Sequence, residues 1–469
     1  MLPDVALLEI FDCYVKQARG GGEPHKIQEW HKLVHVCRQW RTIVLGSPRH
    51  LDLRLLCTDE TPVKETLAVW PPLPIVIRQY SEETQMDNII VALEHNERIC
   101  QIDLFKVTKS QLEEVLAAMQ QPFPALTSLA IWLSDWENRP LAVEPPLVVH
   151  ESFLGGSAPR LQHLRLDRVP FPGLPNLLLS ATDLVILDIW NIPHSGYFSP
   201  EAMVRCLSTL TRLEALELGF ESPKSRPVRV TRRPHPPTRS TLLALTYFRF
   251  RGVSEYLEDF MARIDAPLLD KFNITLFNQL IFDTPQLAQF LARTPIIQPP
   301  IAVYIAFSDC YVEVTSPASP WMNFKLVISC RQTDWQLSSL TQVISSSFPE
   351  AFIPTVEHLY ISKDEDDWEP KEDDIEDGQW LEVLRPFTAV KDIYLSQEFA
   401  PRIVPALQEL GGEVLSSLQN IFLEDLHPPR PVQGAIEKFV AARQLANQPV
   451  AVSLWDREQD LSSDSEFDD

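Results

Sequence analysis

The sequence predicts an α+β chain, in which an all-helical N-terminal region is followed by an irregular α/β array of strand and helix units. Three observations carry this prediction: apolar side chains at helical spacing over residues 1–58, an apolar motif recurring at strand spacing from residue 59 to 455, and helix-start signals between its copies. Of 469 residues, 45% are hydrophobic and 22% charged, the balance of a chain that folds.

At the N-terminus, MLPDVALLEIFDCYV reads as one helix and IQEWHKLVHVCRQWRTIV, ending before GSP, as a second, with a GGG spacer between them. On a 3.6-residue period Leu33, Val34, Cys37, Trp40 and Val44 form one stripe. Val36, Ile43 and Leu45 widen it beyond an ordinary core-facing arc. A helical region this small buries too little surface to fold securely alone, so the surplus apolar face calls for a partner.

The recurring motif is L-x-x-L-x-L with conservative replacements. It runs from Ile99/Ile102/Leu104 and Leu126/Leu129/Ile131 through Leu161/Leu164/Leu166, Leu184/Leu187/Ile189 and Leu213/Leu216/Leu218 to Leu245/Phe248/Phe250 and Leu269/Phe272/Ile274. Further copies are Val356/Leu359/Ile361, Val390/Ile393/Leu395 and Leu418/Ile421/Leu423. This is the pattern of a leucine-rich repeat, with copies roughly 23 to 35 residues apart. A single strand cannot bury both faces, and stacking strand–helix units gives a continuous core. Helix starts are expected at Ser110 with Glu113 as a capping box, and at Ser199–Pro200 and Thr284–Pro285 as N-caps before a first-turn proline. Between Pro299 and Ser347 the register blurs. IAVYIAF, YVEVTS and FKLVIS read there as strands of different spacing, an insertion or worn repeats.

Two segments interrupt the array. Residues 223–240 are basic and proline-rich, and residues 363–378 strongly acidic; residues 456–469 form an acidic tail expected to be disordered. Arg226, Arg229, Arg232, Arg233 and Arg239 of the basic loop read either as a solvated linker or as an attractor of acidic groups, and Ser463 and Ser465 fit the preference of an acid-directed kinase.

A formal charge of −23 excludes general affinity for nucleic acid or anionic membranes. No stretch approaches about 18 uninterrupted apolar residues, and the N-terminus has no basic leader region. The seven cysteines lack CxxC pairs, which fits reduced thiols in the cytoplasm or nucleus. Glycine is scarce, 14 residues against 40 prolines, and no phosphate-cradling or nucleophile-elbow motif is present, so no cofactor and no enzymatic activity are expected. His25, His31, His35 and Cys37 are close in sequence but lack a zinc signature, so no metal is expected; Cys37 reads as a small core residue and not a nucleophile. Asn273-Ile274-Thr275 matches a glycosylation acceptor but falls inside a predicted strand.

LPDVALLEIF followed by LVHVCRQWRTIVLGSPRHLDL resembles the F-box, through Leu2, Pro3, Leu7, Leu8, Ile10, Phe11, Val36, Cys37 and Trp40. The remainder is similar to the long leucine-rich tails of a large group of fungal F-box proteins. The resemblance implies an N-terminal all-α F-box followed by an irregular α/β leucine-rich-repeat solenoid. It also implies that those nine residues dock on the Skp-family linker of a cullin-RING (SCF-type) ubiquitin ligase, while the repeats bind a protein substrate. The alternative is a repeat scaffold or sensor acting outside any ligase. In either case target contacts are expected on side chains between the buried strand positions: Arg165, Asp188, Trp190, Glu217, Tyr247, Arg249 and Arg251.

Overall fold

The computed structural model describes residues 2–19, 29–79, 86–134, 147–227, 239–294, 299–319, 322–350, 352–364, 377–409, 415–424 and 430–457. The chain forms two compact units, Met1–Phe198 with Arg205–Leu213, and Ser199–Val204 with Glu214–Asp469.

The first unit opens with three helices, α1 (Asp4–Arg19), α2 (Trp30–Val34) and α3 (Arg38–Gly46). The second segment, expected as one helix, breaks in two. Cys37 adopts an extended conformation, and its sulfur accepts a hydrogen bond from the Trp40 amide at 3.5 Å, so it N-caps α3 and ends the preceding turn. Cys37, expected in the core, is exposed for that reason. Leu7, Phe11 and Val15 of α1, Trp30, Leu33 and Val34 of α2, and Ile43 and Val44 of α3 share one core with Leu51, Leu53, Leu55 and Leu73 of the first repeats. Trp30 is fully buried and donates its indole N–H to the Arg54 carbonyl at 3.0 Å, so its one polar atom is satisfied. The compact units therefore do not divide at residue 58. The helical region is the cap that closes the first strand's apolar face.

Six parallel strands follow in chain order: β1 (Leu55–Thr58), β2 (Ile75–Gln79), β3 (Ile99–Val107), β4 (Ser128–Leu133), β5 (His163–Asp167) and β6 (Ile186–Ile192). Parallel neighbours need a crossover. It is supplied by α4 (Val63–Val69), α5 (Asp87–Leu93), α6 (Lys109–Ala118) and α7 (Leu174–Leu178), and the β4–β5 connection carries a 3-10 turn at Phe153–Gly156. The motif positions stand in register: Ile102 opposite Leu129, Leu129 opposite Leu164, Leu164 opposite Leu187, each fully buried. Each such side chain contributes about 1.5–3 kcal/mol by leaving water. The capping box of α6 is formed by Thr108 and Gln111 in place of Ser110 and Glu113. Thr108 Oγ1 accepts from the Gln111 amide and Gln111 Oε1 from the Thr108 amide, because the helix begins one residue before Ser110.

The unit division falls within α8 (Pro200–Leu207), whose Ala202 amide donates to Ser199 Oγ as the N-cap reading requires. The second unit holds β7 (Ala215–Phe220), β8 (Ser240–Thr241), β9 (Tyr247–Gly252), α9 (Ser254–Met261), β10 (Ile264–Asp265), β11 (Lys271–Phe277) and α10 (Pro285–Arg293). Then come β12 (Ala302–Phe307), β13 (Tyr311–Ser319), β14 (Met322–Ser329), α11 (Thr333–Ser347), β15 (His358–Lys363), α12 (Asp377–Leu384), β16 (Asp392–Leu395), α13 (Ala400–Glu409), β17 (Asn420–Leu423), α14 (Arg430–Leu445) and β18 (Ala451–Leu454). Thr284 precedes α10, but its hydroxyl bonds to Ser346 and Ser347 instead of capping the helix. The amides of Gln286 and Leu287 go to the buried Glu258 carboxylate of α9, at 2.8 and 2.9 Å. An anion at the helix N-terminus complements both the open amides and the dipole.

The blurred region is an insertion laid down in reverse. The sheet order runs β11, β14, β13, β12, β15: β13 is antiparallel to both neighbours, while β14 and β12 pair parallel with β11 and β15. α11 covers the insertion with Leu337, Leu340, Val343 and Ile344, and its buried Gln336 donates to the carbonyls of Ser308 and Cys330 at 2.9 and 2.8 Å. Strand direction is not encoded in alternation, so the sequence pattern alone could not reveal it.

In FLGGSAP, Leu154 and Gly155 both have left-handed φ, and a Cβ on Gly155 would stand 2.7 Å from Pro122. Gly155→Ala should destabilise the first unit by about 2–4 kcal/mol, from the left-handed backbone plus overpacking. Chemical denaturation followed by tryptophan fluorescence checks this, and a loss below about 0.5 kcal/mol would contradict the close approach.

Candidate functional site

In a strand–helix repeat the residues between the buried motif positions line the open face of the sheet. The seven residues expected there lie on it. In the first unit, Arg165 of β5 stands opposite Asp188 of β6 at 4.0 Å, with Trp190 half-buried two residues further along the same strand. In the second, Glu217 of β7 accepts from Arg249 of β9 at 3.3 Å, Tyr247 is half-buried, and Arg251 lies over the Phe277 ring at 5.5 Å. Burial, and then the like charge of Arg249, lower the Arg251 pKa. Cross-strand ion pairs thus occupy part of both faces.

The second unit carries a denser feature that the sequence reading missed. Along its sheet one register row runs Glu217, Arg249, Asn273, Lys325, Thr315, Tyr304, Tyr360, Tyr394, Phe422, Ser453. Its aromatic members stack as a ladder: Tyr304 on Tyr360 and Tyr360 on Tyr394 with centroids 4.1 Å apart, and Tyr394 on Phe422 at 4.5 Å. Trp455 leans against it, 5.9 Å from Tyr360 and 5.7 Å from Tyr394. The sequence signal is the central letter of VYI, LYI, IYL and IFL, an aromatic inside four strands that are neighbours in the sheet. Parallel pairing places those letters side by side.

Polar partners fix the rim. His358 Nδ1 lies 2.9 Å from the Asp392 carboxylate, Asp392 accepts a hydrogen bond from Asn420 at 2.6 Å, and Lys363 pairs with Glu398 at 2.9 Å. Burial first, then the neighbouring Tyr304 and Tyr394, push the Tyr360 pKa upward. The result is a rigid amphipathic strip of ring edges and hydroxyls, the chemistry that dominates protein-recognition hot spots.

A second surface lies on the helical cap. Of the nine residues the F-box resemblance selects, Leu7 and Phe11 are buried in the cap's own core, Leu8 and Trp40 are partly buried against it, and Leu2, Pro3, Ile10, Val36 and Cys37 are exposed. With Val5, the apolar Leu2, Ile10 and Val36 are 51–73% exposed.

His31 stacks on Trp70 at 4.4 Å and meets Trp30 edge-on at 4.1 Å, and burial, with His35 nearby, lowers its pKa to about 4. His25 lies outside the described residues, as do residues 228–238 of the basic loop, 365–376 of the acidic loop, and Ser463 and Ser465. Among the described residues, Glu9, Asp12 and His50 have ligand atoms within 4.8 Å of one another, but Asp12 already takes the Lys16 ammonium at 2.6 Å.

No protein-family model matches the chain, and no curated protein matches it. Among solved structures it is similar to the leucine-rich repeat-containing protein LegL7 from Legionella pneumophila, at 13% identity and a TM-score of 0.28 over 82% of this chain and 97% of that one. The repeat architecture stands on the strand register and not on that likeness.

Two pH effects follow with opposite signs. A folded His31 pKa below the ordinary 6.5 means the unfolded chain binds more protons, so first-unit stability falls as pH drops from 6.5 towards about 4; His31→Phe should flatten that slope in urea titrations. A raised Tyr360 pKa means second-unit stability is full below pH 10.0 and declines above it, less steeply in Tyr360→Phe.

Proposed function

We propose that the chain is a substrate-recognition adaptor. Its repeat face binds a protein target, and its helical cap docks on the Skp-family linker of an SCF-type ubiquitin ligase in the cytoplasm or nucleus. The observation that carries the reading is the exposed set Leu2, Val5, Ile10 and Val36 on a cap whose own core is complete. It coincides with the stretch that resembles the F-box. A standard interface buries about 800 Å² per side, within reach of a three-helix face of this kind.

The adaptor performs no bond chemistry of its own. Its effect on ubiquitin transfer is proximity, holding a target lysine near a charged carrier so that an intermolecular encounter becomes local. The target meets the aromatic ladder and the flanking pairs of the second unit, where rigid rings give contact area at small entropic cost.

One observation favours a second reading, a repeat scaffold outside any ligase. The helical region shares its core with Leu53, Leu55 and Leu73, so it has a structural task as an end cap without any partner. Co-purification separates the two. Ile10→Asp combined with Val36→Asp alters exposed positions, so folding should be retained while linker and cullin are lost by about tenfold or more, the effect of a charge placed in an apolar interface. Undiminished recovery of linker and cullin with the double variant, or none with the wild type, would leave the scaffold reading. Phe422→Ala should reduce captured target without changing linker recovery.

A further inference from the structure

The second unit ends in a strand whose core-facing positions are uncovered. In β18, Val452 stands in register with Ile421 and Leu454 with Leu423. Ile421 and Leu423 are buried, whereas Val452 is 36% and Leu454 55% exposed. The strand is nevertheless anchored, because Val450 and Trp455 on either side are buried. The amides of Ala451 and Trp455 donate to the Gln419 and Leu423 carbonyls at 2.8 and 2.7 Å. Odd-numbered residues therefore bond to β17, and the N–H and C=O groups of Val452 and Leu454 face the opposite edge. Among the described residues no strand pairs with that edge. Nor does AVSL contain the lysine or proline that commonly protects an edge strand.

We propose that this end is a self-association surface, at which two copies of the chain join their β18 strands antiparallel about Ser453. In that register Val452 of one copy faces Leu454 of the other, and both pairs exchange backbone hydrogen bonds from the groups left open at the edge. Val450 faces Asp456 and Ala451 faces Trp455, so no like charges are opposed. Val452 and Leu454 of both copies lie on one face, which turns two open core ends into one continuous core. The chain's own residues 458–469 suit the edge poorly: EQDLSSDSEFDD is mostly acid and serine, and such residues disfavour strands. The inference is independent of the adaptor reading, since it concerns a different end of the chain.

The chain carries −23, so the dimer should strengthen as salt screens that repulsion. Sedimentation equilibrium at tens of micromolar protein should give twice the 53.6 kDa chain mass. Leu454→Lys, and separately Val452→Lys, should weaken the dimer by about tenfold or more, the cost of burying an unpaired ammonium, with unchanged circular dichroism. Ser453 sits on the two-fold axis as a non-hydrogen-bonded pair, where Cα atoms stand about 4.5 Å apart, close enough for a disulfide. Mild oxidation of Ser453→Cys should therefore give a covalent dimer that the wild type, with its own exposed Cys13, Cys37 and Cys310, does not. A wild type that stays at single mass overturns the proposal. So does a dimer that survives both lysine variants, or one that appears only after residues 458–469 are deleted, which would assign the edge to the chain's own tail.

Discussion

Parallel strand register is the constraint on which everything else in this chain depends. Each strand presents its second and third motif positions to the core, and those positions are buried only because the neighbouring strand presents the same positions at the same height. Leu129 lies beside Leu164, and Ile393 beside Ile421. A repeat without its neighbour would expose a column of aliphatic groups, so the unit of stability is the interface between repeats more than the repeat itself. The open face inherits the same registration. Side chains between the motif positions are forced into rows, and a row of tyrosines becomes a stack with no further instruction.

Two consequences appear at the ends of such an array. At the N-terminus the problem is solved internally, by α1 to α3 packing on Leu51, Leu53 and Leu55. That solution explains most of the apolar excess in LVHVCRQWRTIV: Leu33, Val34, Ile43 and Val44 are core, whereas Val36 and Cys37 remain exposed. At β18 the corresponding groups, Val452 and Leu454, are exposed among the described residues. The contrast between a closed and an open end is a property of the repeat physics and requires no assumption about partners.

Much of the fold was legible in the sequence because a buried period-two motif is hard to mimic. Every motif copy from Ile99 to Leu423 is buried where it was expected. The helical break at Cys37 was not legible, since a sulfur accepting an amide hydrogen bond leaves no periodic trace. The start of α6 shifted by the same kind of local competition, with Thr108 and Gln111 fitting a capping box that Ser110 and Glu113 also fit in principle. The reversed order of β12 to β14 in the sheet, and the antiparallel β13 between its neighbours, escaped because alternation fixes faces and not directions. Of the open face, the charged residues and tryptophan were found by counting from the motif. The aromatic ladder was overlooked although its letters were present, because its meaning lies in a comparison across repeats more than a hundred residues of chain in extent, from Tyr304 to Phe422.

The closed N-terminal end also bears on how the chain comes to be folded as it is made. The helical cap and the first strand leave the ribosome before the repeats that follow them, and they already share a core. Each later repeat, emerging on the order of seconds after the last, meets a finished surface with its apolar column ready to receive it. A one-dimensional array that starts from a completed template can grow in a single direction, and nascent strands then spend little time with both edges unpaired.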